Sequence, residues 1–317
     1  MASFSTSNVL ATSTKVFMEG LTLAVNDDWR RIFDFRNDST SRLRISSLTG
    51  ISDPGLWDSG NAKDDLPKVN LSSEGAVDLS WKAYGVQVQI HKYDVMDVPG
   101  IVDLASRKLG QAVAHKYRSL AYDEFTGSKI FASTTTADGV AVCHAQHTTA
   151  LGGTNYRSNL LSSALDRTSF LAALRMGKKW TNFQNQYTNL FDGDVALVCS
   201  PEQEANAVEF LQAEFNTGGD KGSTATGTEG SENSMQANSI RFINGGNFVD
   251  LIVSPFVDAN DWFLVSKMET PLRFWERSMP MLTAHTDSDE RSVRLGVDFA
   301  CVATVGPAPD GIIGSNV

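Results

Sequence analysis

From Val293 to Val305 every second residue is apolar: Val293, Leu295, Val297, Phe299, Cys301, Ala303 and Val305. Strict alternation predicts a strand with one face buried. At about 13 residues it exceeds the usual mode of ~5–6. Its predicted partner is 271–279, joined through the polar turn "TAHTDSDER". A second alternating region starts at Val77, with Leu79, Trp81 and Ala83 on one face. After Tyr84 and Gly85 the phase flips to Val86, Val88 and Ile90, which predicts a bulge or bend at the glycine. Upstream, "SRLRISSL" (41–48) alternates briefly. Between these strands lie residues 49–75, rich in Gly, Pro, Asp and Ser. A loop of that length without its own core is usually functional or held by a partner.

Other segments carry the helical period. The clearest is 97–125, with Ile101, Leu104, Ala105, Leu109, Ala112, Val113, Tyr117, Leu120 and Ala121 on one stripe. Asp97 is the expected cap and Pro99 the first-turn proline. A helix of that length spans roughly 40 Å. Residues 1–34 are expected to form an arm with a short helix, its stripe being Val16, Met18, Leu21, Val25, Trp29, Ile32 and Phe33, weakened by Gly20. The stretch 159–180 reads as helical with a break near Asp166 or Thr168. A buried strand at 194–199 precedes a helix with Ser200 as cap, Pro201 as first residue and Gln203 closing a capping box. Further strands are expected at 239–243 and 248–254, after a Gly/Ser/Thr-rich segment, 216–234, read as a mobile loop.

Composition narrows the function. The 317-residue chain is 41% hydrophobic, enough for a substantial core, and no apolar run approaches the ~20 residues a membrane span needs. The N-terminus lacks a charged start followed by an apolar block, so a soluble protein made in the cytoplasm is expected. Net charge is −10, which argues against sequence-specific DNA binding, because that affinity rests on Lys and Arg. Cys143, Cys199 and Cys301 are far apart and unsuited to a disulfide framework; the last two sit in apolar runs as packing thiols.

Candidate chemistry is thin. "CHAQH" (143–147) offers metal-ligand types in Cys143, His144 and His147, but no second cluster completes four ligands, and a polar loop with ordinary histidines is the simpler reading. A nucleophilic Cys–His pair there asks near-adjacent residues to aim at each other. "GGDKGST" (218–224) has its Lys before the Gly, the wrong order for a phosphate loop. Asp258, Asp261 and Glu269 fit a solvated turn better than an acid–base pair. No catalytic, cofactor-binding or metal constellation is expected.

The order of parts is more informative. An arm, a long excursion between strands, a long helix, an α/β unit and a closing β-hairpin together resemble the major capsid protein of tailed bacteriophages, the fold first seen in the Hong Kong phage capsid. More closely the chain resembles the Mu-type major head subunit family, through "DGVAVCHAQH" (138–147), "SALDRTSFLAALRMGKKW" (163–180), "DVALVCSPEQEANAVEFL" (194–211), "FVDLIVSPFVDANDWFLV" (248–265) and "RLGVDFACVATVG" (294–306).

The resemblance implies an α+β capsid fold: N-terminal arm 1–34, extended loop 35–96, peripheral domain 97–137 with a long spine helix, axial domain 138–254, a returning peripheral hairpin 255–305 and a C-terminal tail 306–317. It implies a non-enzymatic protein that self-assembles, as hexamers and pentamers, into an icosahedral shell. That shell holds packaged double-stranded DNA and is built in the bacterial cytoplasm with scaffolding, portal and decoration partners. An encapsulin-like storage shell and a Cys143/His147 hydrolase are the alternatives. Intersubunit contact is expected at the hairpin tip, through Asp287, Asp289, Glu290, Arg291 and Arg294. Lys63 and Lys68 in the extended loop are further contact residues. Some shells of this fold are crosslinked through Lys and Asn, but no acceptor is identifiable here.

Overall fold

A computed structural model describes residues 6–24, 27–40, 43–48, 73–133, 136, 138–148, 156–181, 187–212, 215–216, 236–237, 249–287 and 292–317. The chain divides into two compact units. One is built from 1–45, 77–125 and 272–306, the other from 46–76, 126–271 and 307–317.

The first unit is organised by a long hairpin. The alternation around Val293–Val305 becomes a strand, Ser292–Val305 (β14), paired antiparallel with Leu272–Asp287 (β13). Much of the segment expected to be turn is therefore ladder. Two register shifts interrupt β13, one between Glu276 and Ser278 and one between Ser278 and Met281; the second spans Pro280, which has no N–H to give to the ladder. The sheet order is β1-β13-β14-β4, with β1 (Asp34–Asn37) parallel to β13 and β4 (Lys82–His91) antiparallel to β14. Register between β4 and β14 runs unbroken through Gly85, so no bulge is there. The phase flip arises instead at Ser80 and Trp81, which separate β4 from the preceding strand β3 (Ser73–Leu79). Strand β3 pairs with β2 (Leu43–Leu48).

Helices cover one face of this sheet. The first, α1 (Thr6–Ala24), has 19 residues and is much longer than the expected short helix. Its buried positions are Ser13, Phe17 and Gly20, whereas Met18 of the expected stripe is exposed. Asp97 does not cap the long helix; it ends a short one, α2 (Lys92–Asp97). The long helix, α3 (Ile101–Tyr122), starts after Gly100, whose φ of 81° is a left-handed value that favours glycine. Leu109, Val113, Tyr117 and Ala121 of its expected stripe are buried, while Leu104 is exposed.

Gly20 and Gly110 mark where α1 crosses α3. A Cβ on Gly110 would lie 2.3 Å from the Phe17 carbonyl oxygen, and one on Gly20 would lie 2.4 Å from that of Arg107. The glycines let two backbones touch. Beneath them the aromatics converge: Trp29 and Phe35 pack on Phe274, and Tyr117 meets Phe274 and Phe299 edge-on at 5.6 and 4.9 Å. Trp275 points to the opposite face, with Leu43, Leu79, Trp81 and Val302.

The second unit holds a five-stranded sheet. Its order is β11 (Val249–Val253), β8 (Val195–Cys199), β12 (Trp262–Ser266), β15 (Ile312–Ser315) and β7 (Leu160–Leu161). Two-residue ladders, β5 (His147–Thr148) with β6 (Tyr156–Arg157) and β9 (Phe215–Asn216) with β10 (Gln236–Ala237), complete the strands. One short helix, α4, spans Gly127–Ile130. The helix α5 (Arg167–Lys178) begins where a break was expected, and residues 159–166 are not helical. Asp166 accepts from the Ser169 amide at 2.6 Å while Ser169 Oγ accepts from the Asp166 amide at 2.9 Å, a reciprocal cap. Phe170 and Leu174 of α5 and Phe210 of α6 (Glu204–Gln212) pack on Leu197, Trp262, Leu264 and Ile313.

Two further readings change in this unit. Ser200 and Gln203 do not form a capping box. Ser200 Oγ donates to the Ala259 carbonyl and Gln203 Nε2 to that of Asn260, both at 2.8 Å, so they hold the turn before β12. Residues 306–317 are no loose tail: β15 lies between β12 and β7 and is wholly buried. Residues 255–271, expected to belong with the hairpin, carry β12 inside this sheet. The expected strand at 239–243 and most of 49–75 and 216–234 lie outside the described residues.

Candidate functional sites and assembly surfaces

The "CHAQH" loop is built into the second unit's interior. Cys143 is fully buried, its amide donates to the Ile130 carbonyl, and its thiol is pushed well above the ordinary range by burial and then by the Asp261 charge. A thiol in that state is a packing group, not a nucleophile. His147 is also fully buried. Its Nδ1 lies 2.8 Å from Asp138 Oδ2 and its Nε2 lies 3.1 Å from the Val142 carbonyl oxygen. Both ring nitrogens are thus engaged away from Cys143, which removes the geometry a Cys143/His147 hydrolase would need.

Around this pair lies a charge cluster that the sequence did not reveal. Burial alone would push the Asp138 carboxyl up, but hydrogen bonds with His147 and Thr136 hold it down at about 2. The His147 ring meets Trp180 edge-on at 6.0 Å. Above Trp180 sits the Arg157 guanidinium, 4.2 Å from the ring centroid. Trp180 Nε1 donates to Asp310 Oδ1 at 2.5 Å and Arg157 Nη2 is 3.3 Å from the same oxygen. Burial raises the Asp310 carboxyl, opposed by Arg157 and Trp180.

The carboxylates Asp258, Asp261 and Glu269, expected in one solvated turn, divide. Asp258 Oδ2 accepts from the Gly127 amide at 3.2 Å. Asp261 is buried beside it, pushed up to about 6 by burial and then by the Asp258 charge. Glu269 is not part of this pair: its backbone carbonyl lies against Gly311 and its side chain is exposed. Among the described residues, no three His, Cys, Asp or Glu side chains come together as metal ligands. No helix among them is long and apolar enough to cross a membrane. The "GGDKGST" segment is outside the described residues.

In the first unit the Tyr117 hydroxyl and the Glu276 carboxylate, both buried, are hydrogen-bonded. Burial raises the Glu276 carboxyl and Tyr117 partly offsets that. Of the expected contact residues, Lys63, Lys68, Asp289, Glu290 and Arg291 lie outside the described residues. Asp287 closes β13 opposite Ser292. Arg294 is not at the tip but within the ladder, half-buried, opposite His285 on one side and Gln89 on the other.

Exposed apolar surface is concentrated elsewhere. Tyr93, Met96, Val98 and Leu104 are each 50–59% exposed at the elbow between α2 and α3. Met279 and Met281 are exposed on β13. Single exposed apolar residues are ordinary, whereas here four fall within twelve positions.

A family model described as phage capsid protein matches residues 76–314, well over half of the chain. The chain belongs to the phage capsid protein family. Solved structures agree on the fold. The mature capsid of bacteriophage PhiM1 matches with TM-score 0.55 at 12% identity, covering 91% of this chain and 86% of that one. The capsid of Ralstonia phage GP4 gives 0.55 at 12%, covering 89% and 85%. A virus-like particle from Pyrococcus furiosus gives 0.55 at 10%, covering 95% and 96%. No curated protein matches. At these identities the likeness concerns the fold, which is the mixed helix-and-sheet fold of tailed-phage major capsid proteins. The long helix, the long hairpin and the α/β unit of this capsid protein are its parts.

Proposed function

We propose that this capsid protein is the major head subunit of a tailed phage of the Mu type, assembling into an icosahedral shell around packaged double-stranded DNA. The family match over residues 76–314 carries the reading. The unit with α3 and the β13–β14 hairpin would serve as the peripheral domain, with residues 1–34 as its arm. The five-stranded unit would serve as the axial domain, and the stretch between β1 and β4 as the extended loop, narrower than the expected 35–96 because both flanking strands belong to the four-stranded sheet. The acidic balance supports a container that does not grip its polymer. A shell of the same fold with an enzyme as cargo is the competing reading, and the cargo decides between the two.

Partners are further copies of this chain, in hexamers and pentamers, with scaffolding and portal proteins during assembly in the host cytoplasm. The hairpin end, Asp287 to Arg294, is a contact between copies on this reading, as are Lys63 and Lys68. Acids converging at a symmetry axis repel unless basic groups of a neighbour meet them.

Expression of the chain with its scaffolding protein, followed by negative-stain microscopy, tests the shell. Closed icosahedral particles are the expected result, and soluble subunits that never associate would overturn it. Particles loaded in the same cells with an enzyme instead of DNA would favour the storage shell. Because Arg294 lies in the ladder, Arg291→Glu tests the hairpin contact. Folding should be normal while particle yield falls and becomes salt-dependent. Normal particle yield at low and high salt alike would remove the contact.

A further inference from the structure

With Asp138 ionised, as its carboxyl held down at about 2 requires at neutral pH, the buried pair Asp138–His147 has a geometry that only the imidazolium satisfies. Both partners of the imidazole are acceptors: a carboxylate oxygen at Nδ1 and a backbone carbonyl at Nε2. A neutral ring carries one N–H and one lone pair. Whichever tautomer it adopted, a lone pair would face an oxygen at about hydrogen-bond distance. The imidazolium donates at both nitrogens.

What that ring holds is a hub. Val142, whose carbonyl receives Nε2, also receives Nδ2 of Asn159 at 2.8 Å. Asn159 is fully buried. Its Nδ2 also donates to the Ile312 carbonyl at 3.1 Å, its Oδ1 accepts from the His144 amide at 2.8 Å, and its carbonyl accepts from the Gly314 amide at 2.9 Å. One asparagine therefore ties the loop 136–147 to strand β15. Asp138 meets His147 from the loop itself, with Thr136 Oγ1 2.5 Å from its other oxygen.

The remaining charged or titratable groups around the ring are known. His144 lies 6.0 Å away, edge to face. Arg157 and Asp310 stand across Trp180, and their opposite charges balance one another. Asp138 is the carboxylate bonded to the ring, and Asp310 feels the ring's charge from across Trp180.

We propose that His147 is a proton-operated latch: as the imidazolium it locks the loop 136–147, through Val142 and Asn159, onto the C-terminal strand of the five-stranded sheet, and loss of its proton frees that loop. Deprotonation leaves Asp138 as a buried anion facing a weaker partner and sets a lone pair against an oxygen. Buried hydrogen bonds to charged groups are among the stronger ones, so the loop's protection should fall steeply. The strands β8 and β12 do not touch the ring and should keep theirs.

The test is made on the full-length chain with 15N-labelled histidine. Its five histidines are assigned by replacing in turn the four that are not buried. Two ring N–H signals for His147 at pH 6 are expected. Amide exchange is then followed to pH 9, as protection factors that remove the intrinsic rise with pH. The His144 and Gly314 amides should lose at least about tenfold in protection, while Leu197 does not change. In His147→Gln the same amides should be weakly protected at every pH. A single-tautomer neutral ring at pH 6, or Gly314 protection constant to pH 9 in the wild type, would overturn the latch. Both wild-type readouts stand even if His147→Gln does not fold.

Discussion

Replacing Gly110 with alanine should destabilise the protein, although alanine is the better helix former. The new Cβ would lie 2.3 Å from the Phe17 carbonyl oxygen and 2.7 Å from the Leu21 amide nitrogen. Both neighbours are backbone of α1, so neither can rotate away. Comfortable contact requires α1 and α3 to part by about 1 Å, which loosens the packing along the crossing. Overpacking of this kind costs about 1–3 kcal/mol, and rigid neighbours place it at the upper end. Helix propensity returns about 1 kcal/mol. The net is ~1–2 kcal/mol destabilising, a fall of roughly 2–8 °C in Tm. Thermal melting followed by circular dichroism measures it. Ala112→Gly, at an exposed position of the same helix, is the control and should also lose about 1 kcal/mol. If propensity alone governs, the two variants move in opposite directions; if the crossing governs, both fall. Gly20→Ala combined with Gly110→Ala should cost less than the sum, since one separation accommodates both. A Gly110→Ala protein that melts at or above the wild type would refute the crossing.

Leu109→Asp places an unpartnered charge beneath α3, costs several kcal/mol and should abolish soluble folding; a cooperatively melting variant would contradict the helix packing. Tyr117→Phe removes the hydroxyl that donates to buried Glu276 and should cost about 1–3 kcal/mol, increasingly as pH rises and Glu276 ionises; urea titrations at several pH values would show it. Asp138→Asn should cost about 1–2 kcal/mol at neutral pH. Because the folded carboxyl sits near 2, below its unfolded value of 3.8, that stabilisation is present above about pH 4 and is lost as pH falls toward 2, where the melting curves of the two proteins should converge. Leu104→Asp, on the exposed elbow, should leave melting unchanged while lowering particle yield, scored by sedimentation.

Several elements were readable because their residues obey one period over many positions. The strand β14 and the Leu109–Ala121 face of α3 are such cases. Where a position serves tertiary contact, local reasoning failed. Gly20 reads as a helix weakener in sequence, yet it opens the crossing. Ser200 and Gln203 fit a cap, yet their side chains reach a turn almost sixty residues on. The strand "IIGS" is too short to show alternation and lies beyond a Gly/Pro-rich stretch, so nothing local marks it. Tyr117 was read as one more apolar position, and its hydroxyl's partner is 159 residues away. The buried cluster needs Asp138, His147, Arg157, Trp180 and Asp310 together, and no spacing in the sequence brings Asp310 to the others. Most of the expected contact residues lie outside the described segments, and Arg294 belongs to the ladder rather than the tip.

The position of β15 governs the order in which the molecule can be made. Ser163 and Ser315 are hydrogen-bonded across 152 residues, and the whole hairpin of the other unit is translated between them. At ~5–20 residues per second, roughly 8–30 s of translation separate the two. From its own synthesis until β15 emerges, β12 has one neighbour and an open edge where β15 will lie. The first unit waits in the same way for residues 272–305 to emerge. A ribosome-bound chain therefore holds no finished unit until β14 and β15 have emerged, and its surfaces for neighbouring copies come into being late.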